Sequence, residues 1–316
     1  MGQFLPFVMQ NLLNTPLAMT PSHGDMVAAA LSGRINIQAL EDSFGQYRDR
    51  SSMIALAAQG RADADRERER KAVLGQDDIE WNHWGEKSFV QVGSIAIIKV
   101  WGSLTRTWGV GPYSGATGYD GILRQLIDAN EDKTIKAIWL DIASGGGAIN
   151  GLFDLCEVMW GMNATNGGGK PIFAMAADHA YSAAFAIATC ADRIFCSRTG
   201  GVGSVGCIMM HADVSHAMEE AGIKVTIIRS ADKKARGSEF EVLDADTKAH
   251  WQSQIDECAD VFVDLVARNL GLAKKTVLET EALDYMGNHA KAIGFVDEVV
   301  SEPTAWHQLE TLIEGI

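Results

Sequence analysis

The chain has 316 residues, 47% of them hydrophobic, enough to bury one large α/β domain and leave an accessory segment over. Its formal charge is −14, from 27 basic and 41 acidic residues, and no long basic run offsets it, which excludes tracking along a phosphate backbone and removes nucleic acid from the expected partners. No apolar run reaches the roughly 20 residues that a bilayer-spanning helix needs. The first basic residue is Arg34, so the start MGQFLPFVMQNLL lacks the positive region of a secretory signal, and Pro6 stands where myristoylation wants Ser or Thr. The chain therefore reads as soluble and intracellular, without a membrane anchor. Its five cysteines (Cys156, Cys190, Cys196, Cys207, Cys258) are odd in number, lack CxxC spacing and sit mostly among apolar residues, the pattern of small hydrophobes in a reducing compartment.

Residues 1–85 read as an N-terminal helical arm and charged linker. Helical patterns at 25–31 and 37–47 carry too little apolar surface for a core of their own, and RADADRERERKAVLGQDD, at 61–78, is a solvated helix or linker. Residues 86–316 form the packed domain. A strand is expected over 94–100 (SIAIIKV), then a glycine-containing loop over 101–118 and an amphipathic helix over 119–130. A second strand follows over 135–142, IKAIWLDI, whose continuous apolar run suits a parallel sheet buried on both faces. Strands recur at 171–177, 193–196 and 224–229, and their alternation with helices and glycine-rich turns implies α/β architecture. The longest helix is expected over 244–270, with Trp251, Ile255, Cys258, Phe262 and Leu265 at i, i+4, i+7, i+11 and i+14 on its buried stripe.

The chain is organised around residues 171–206. There an apolar strand opened by Pro171 closes on Asp178-His179, and the small apolar helix AAFAIA follows with Ser182 at its first turn. Free backbone N–H groups and the positive end of the helix dipole favour a developing negative charge at that point, which suits a nucleophile. A serine in the same place serves equally as a plain N-cap. SGGGA, at 144–148, lies between the strand ending at Ile142 and a helix expected near Asn150. Its glycines can direct N–H groups into open space as an oxyanion cradle, or simply make a tight strand-to-helix turn.

GVGSVG, at 201–206, fits GxGxxG, but a dinucleotide fingerprint belongs in a first βαβ unit whose next strand ends in an acidic residue. Here it falls late, and the strand expected at 224–229 ends in basic character. No cofactor or metal is implied, and Ser204 is instead a hydroxyl able to orient a neighbouring base. Lys233 and Lys234 are solvated, or one of them is a general base if burial or nearby positive charge lowers its pKa from about 10.4. His211 with Asp213 or Asp141 leaves a Ser-His-Asp triad open, whereas His179 is too local to aim at Ser182. No GxSxG elbow surrounds Ser182, which disfavours an α/β-hydrolase.

Together these segments resemble the signal peptide peptidase A family of serine peptidases, peptidase family S49, and within it the bacteriophage capsid-assembly branch. LDIASGGGAI is similar to the family's strand followed by S-P-G-G, and AYSAAFAIA to its nucleophile helix. GSVGCIMMHADVSHAMEEAGIKVTII is similar to its G-S-I-G turn, helix and strand, and YMGNHAKAIGFVDEV to its G-x-x-A-x-x-x-G-L-V-D-E signature. The matches run in unbroken order from about residue 92 to 300.

The resemblance implies a ClpP/crotonase-like fold, with repeated ββα units around a mostly parallel sheet, and a Ser/Lys dyad. By motif, Ser182 falls on the nucleophile, Lys234 on the general base with Lys233 one register away, and Ser204 on the serine that hydrogen-bonds the base. The backbone N–H groups of Gly146 or Gly147 and of Ala183 fall on the oxyanion hole; Gly145 replaces the usual proline. The family's membrane anchor has no counterpart, which favours the procapsid-associated branch. The expected protein is a homo-oligomeric serine endopeptidase, without a cofactor, that processes scaffold, portal or coat proteins, and by extension itself, in the cytoplasm of an infected or lysogenic bacterium. A crotonase-type acyl-CoA enzyme on the same fold is the alternative, but it explains neither Ser182 nor Lys234.

Overall fold

The computed structural model describes residues 17–19, 88–106 and 116–315. The helical patterns at 25–31 and 37–47 and the charged segment 61–78 lie outside the described residues. The three-residue strand β1 (Leu17–Met19) comes first. β2 (Val90–Val92) and β3 (Ile95–Trp101) form an antiparallel hairpin. β4 (Ser103–Thr105) and β5 (Ala116–Gly118) lead into α1 (Tyr119–Glu131), which buries Tyr119, Ile122, Leu126 and Ala129 at helical spacing. β6 (Ala137–Ala143) and β7 (Gly146–Ala148) precede α2 (Leu152–Met162) and the short α3 (Ala164–Gly167). β8 (Ile172–Ala176), β9 (His179–Tyr181) and α4 (Ala183–Ala188) make the next unit, followed by β10 (Arg193–Cys196) and β11 (Gly201–Gly203). The chain ends with α5 (Ser215–Glu220), α6 (Ala245–Leu270), α7 (Lys274–Leu278), β12 (Asp284–Met286), α8 (Gly287–Ala292), β13 (Glu298–Val299) and α9 (Glu302–Glu314).

The main sheet has the order β13-β10-β8-β6-β3-β2 and is parallel except for β2. Every residue of β8 is buried, as are six of the seven in β6, so the continuous apolar runs in the sequence do mark strands covered on both faces. Two smaller sheets, β1-β7-β4-β5 and β12-β11-β9, stand beside it. Each arises where a long strand runs on into a short one that leaves the main sheet before the chain turns into helix: β6-β7-α2 and β8-β9-α4 are the clearest cases. The result is a mixed α/β fold built mostly on parallel pairing.

One face of the main sheet presents Ile98, Leu140 and Ala174 to a core shared with α1, α2, α4 and the C-terminal half of α6. The other presents Trp139, Phe173 and Phe195, which α9 covers with Ala305, Trp306 and Leu309. Trp139 and Trp306 meet edge-on with ring centroids 5.2 Å apart, a favoured aromatic geometry.

Three expectations change: the strand at 224–229, the glycine turn and the buried stripe of α6. Residues 224–229 form no strand. The run is irregular and pairs with none of the described strands, with Ile228 94% exposed. The glycine run is only partly a turn, since Gly146 and Gly147 belong to β7; the following helix starts at Leu152 after Gly151 at φ +84°, close to the expected Asn150. The stripe along α6 is fully buried only from Phe262 onward; Trp251, Ile255 and Cys258 are half-buried.

Candidate active site

Ser182 sits at the junction of β9 and α4 and is completely buried. Its backbone is at φ +54° and ψ −119°, a conformation that a residue with a Cβ rarely adopts and that costs about 1–3 kcal/mol. Two ties hold it there. Its N–H donates to Gly203 O at 2.8 Å, and its carbonyl accepts the Ala186 N–H at 3.0 Å as the first bond of α4. The side chain makes no capping hydrogen bond, so Ser182 occupies the N-cap position without doing an N-cap's work. Its Oγ lies 3.5 Å from Gly206 O, at the limit of a hydrogen bond.

The G-S-V-G turn thus wraps the serine at both ends of its own span. Gly203 leaves β11 at φ +106°, and Ser204, 8% exposed, is also left-handed at φ +57° with its N–H on Leu283 O at 3.0 Å. Parallel pairing of β11 with β9 puts Gly203 opposite Tyr181, the residue before the nucleophile candidate. Cys207 follows this turn, and burial pushes its thiol up to about 12, so it stays protonated and is no rival nucleophile at neutral pH.

The glycine strand is joined to the same point by Ser144, a residue not singled out above. Ser144 is fully buried; its N–H donates to His179 O at 2.9 Å and its carbonyl accepts the Tyr181 N–H at 3.0 Å. Its hydroxyl donates to Gly102 O at 2.6 Å and accepts the Gly146 N–H at 3.1 Å. Gly146, at φ +101°, therefore has its donor committed to Ser144 in this state. Gly147 lies against β4 so closely that a Cβ on it would come 2.0 Å from Leu104 O, which is why that position is glycine. The buried Tyr119 hydroxyl, donating to Ala148 O at 2.6 Å, holds the far end of β7. Burial raises the Tyr119 pKa, which keeps that donor protonated. Ala183, the other candidate oxyanion donor, is buried at the first position of α4.

The lysines are elsewhere. Lys233 and Lys234 are exposed on a turn at 231–237 that closes through the Lys234 N–H on Ala231 O at 2.9 Å. Within one chain no hydrogen bond links either to Ser182 or Ser204 among the described residues. The histidines are no closer to a triad. His211 Nε2 faces Ser238 O at 3.1 Å and the ring packs on Trp251, His216 pairs with Glu220, and His179 lies beside Asp178 and stacks on Tyr181. Asp213 is spent on the N–H of Ser215, and Asp141 is buried within β6. Among the described residues no group of three or more His, Cys, Asp or Glu is placed to hold a metal, and no helix is long and apolar enough to cross a membrane.

The structure thus brings Ser182, the Ser204 turn and the Ser144–Gly147 segment to one place and leaves the basic residues out. Ser144 and Tyr119 act through backbone ties, a role that residue type does not advertise; the only trace of it in the sequence is Ser144 at the head of the glycine run.

Comparison with known proteins adds the following. The profile of peptidase family S49 matches residues 164–314. The chain is 30% identical over 304 residues to the "Capsid assembly protease C" of Escherichia phage lambda, covering 95% of this chain and 64% of that protein. It is 33% identical over 225 residues to the "Head-tail preconnector protein GP5" of Enterobacteria phage P21, covering 71% of this chain and 44% of that protein. The chain thus spans less than two thirds of the length of either relative.

Proposed function

From the peptidase S49 domain that this chain carries, we propose that the protein is a serine endopeptidase of phage head assembly, acting on scaffold, portal or coat proteins, with Ser182 as its nucleophile. The observation that carries this reading is the backbone of Ser182. A serine held at φ +54° at a helix start, with its N–H tied to Gly203 and its hydroxyl released from capping, is strained for a purpose other than stability. The short strands beside the main sheet and the ββα succession agree with a ClpP/crotonase-like fold.

In this reading the Ser182 hydroxyl attacks the scissile carbonyl as its proton passes to an uncharged lysine amine, Lys234. The same group protonates the leaving amine and later takes a proton from the water that hydrolyses the acyl-enzyme. The oxyanion is received by the N–H of Ala183 and by a glycine of the 146–147 pair. Gly146 can serve once the Ser144 hydroxyl, which now accepts its N–H, turns away.

Lys234 is exposed, so its partner serine lies on a neighbouring copy. The segment leading to it supports that: Ile223, Val225 and Ile228 are exposed on one side of the turn and Val242 on the other. Such a run in water marks a surface made to be covered. Incubating the chain with the scaffold, portal and coat proteins of its own phage, followed by mass spectrometry, is expected to give fragments that Ser182→Ala reduces by a factor on the order of 10³ or more. Mixing Ser182→Ala with Lys234→Ala copies is expected to restore cleavage, because each mixed interface can pair an intact serine with an intact lysine. No recovery, with mixed oligomers shown to form, would put the base in the same chain.

A further inference from the structure

β7 has two edges. One pairs in parallel with β4, at Leu104 opposite Gly147; the other is covered by β1. The β1 pairing is antiparallel, with Leu17 opposite Ala148, Ala18 opposite Gly147 and Met19 opposite Gly146. Among the described residues β1 pairs with no other strand. Among the described strands, the glycine strand is the one whose ladder holds these three residues.

That edge lies beside the nucleophile candidate. Gly146 begins two residues after Ser144, whose carbonyl receives the N–H of Tyr181, the neighbour of Ser182. β7 runs away from this junction, so an antiparallel partner runs towards it and brings its C-terminal residue level with Gly146. The residues that precede a scissile bond must approach an acylating serine with this polarity, their last carbonyl arriving at the oxyanion donors. Strand addition to an exposed edge gives such a peptide its affinity through backbone hydrogen bonds. With two glycines in three residues, β7 offers little side chain to obstruct it.

We infer that Leu17–Met19 of the chain is the resident occupant of the β7 edge, a built-in competitor that a protein substrate adding to that edge displaces. The inference rests on Ser182 as the nucleophile for its functional meaning, though not for the occupancy itself. An occupant and a substrate form the same kind of ladder, so the exchange is near balance. A tethered competitor acts at an effective concentration in the millimolar range, which is enough to raise the apparent KM for a weakly held strand by about two- to tenfold.

Occupancy can be read without turnover. In the full chain carrying Ser182→Ala, the β7 segment is expected to be protected from amide hydrogen exchange. Adding Ala18→Pro and Met19→Pro together removes two adjacent donors, one of which must face β7 in an extended strand, and should speed exchange there by about tenfold or more. The synthetic heptapeptide NTPLAMT, the sequence of residues 14–20, added at millimolar concentration should restore protection. Unchanged exchange in the double-proline chain, or protection that the peptide does not restore, overturns the inference. With Ser182 intact, the double-proline chain should cleave fluorescently labelled β-casein with a KM about two- to tenfold lower and an unchanged kcat; an equal KM in both chains also overturns it. If neither chain cleaves, the peptidase reading is in difficulty, while the exchange measurement still decides the occupant.

Discussion

Ser182 carries a strain whose release can be measured. Replacement by alanine removes the hydroxyl but keeps the Cβ, and hence the conformational cost of φ +54°. Replacement by glycine removes both. Ser182→Gly is therefore expected to be as inactive as Ser182→Ala yet more stable by about 1 kcal/mol, roughly 2–4 °C in Tm for a domain of this size. Equal melting temperatures would mean that the backbone relaxes in the alanine variant and that the strain belongs to the serine side chain. Gly147 works in the opposite sense. A methyl there has no room against the backbone of Leu104, and β4 cannot yield without parting from β7. Gly147→Ala should cost about 1–3 kcal/mol, read as a lower midpoint in denaturant melts, and should reduce cleavage as well because the oxyanion strand is displaced.

At the scale of elements, α6 shows how a long helix is started. Asp244 caps it, accepting the Thr247 N–H at 2.8 Å and the Thr247 hydroxyl at 2.6 Å. These bonds to the charged form hold the carboxyl below the usual carboxylate range. A depressed folded pKa means that the contribution is complete above the unfolded value, near pH 4, and fades as the pH falls through the lower folded value. Asparagine caps almost as well and does not titrate. Asp244→Asn should therefore melt close to wild type at pH 7, with a shallower loss of Tm between pH 5 and 3. Parallel Tm profiles for the two chains would show that the cap does not contribute to acid unfolding. β7 and α4 set a contrast, for both are short and neither stands on intrinsic propensity. β7 exists because β4, β1 and the Tyr119 hydroxyl hold it, and α4 because all six of its residues are buried.

For the whole molecule the question is what completes the site. The described residues bury Ser182 and expose Lys233 and Lys234, and Ile223, Val225, Ile228 and Val242 around the lysine turn are exposed among them. Sedimentation of the wild-type chain is expected to show an oligomer. Val225→Glu with Ile228→Glu should yield a folded monomer, with unchanged far-UV circular dichroism and cleavage reduced at least about tenfold. An active monomer would sink the idea of a site shared between copies. The same face bears on salt: the proposed contact is mainly apolar, so moderate ionic strength should not disperse the oligomer.

The sequence by itself determined the alternation of strand and helix, the strands buried on both faces and the helix that carries Ser182. Each of these rests on a local pattern of apolar residues that no other packing would satisfy. It also marked Ser182 and both glycine turns as candidate site positions, which the structure brings to one place. Tertiary structure alone decided the rest. KVTII at 224–228 has the composition of a strand, yet it pairs with none of the described strands and stays irregular. The glycine run, read as a cradle or a tight turn, is in part a strand because β4 and β1 supply ladders on either side. That Ser182 sits at a helix start without a capping hydrogen bond was decided by Gly203, twenty-one residues further along, which holds its N–H and with it a backbone angle that no local preference would choose.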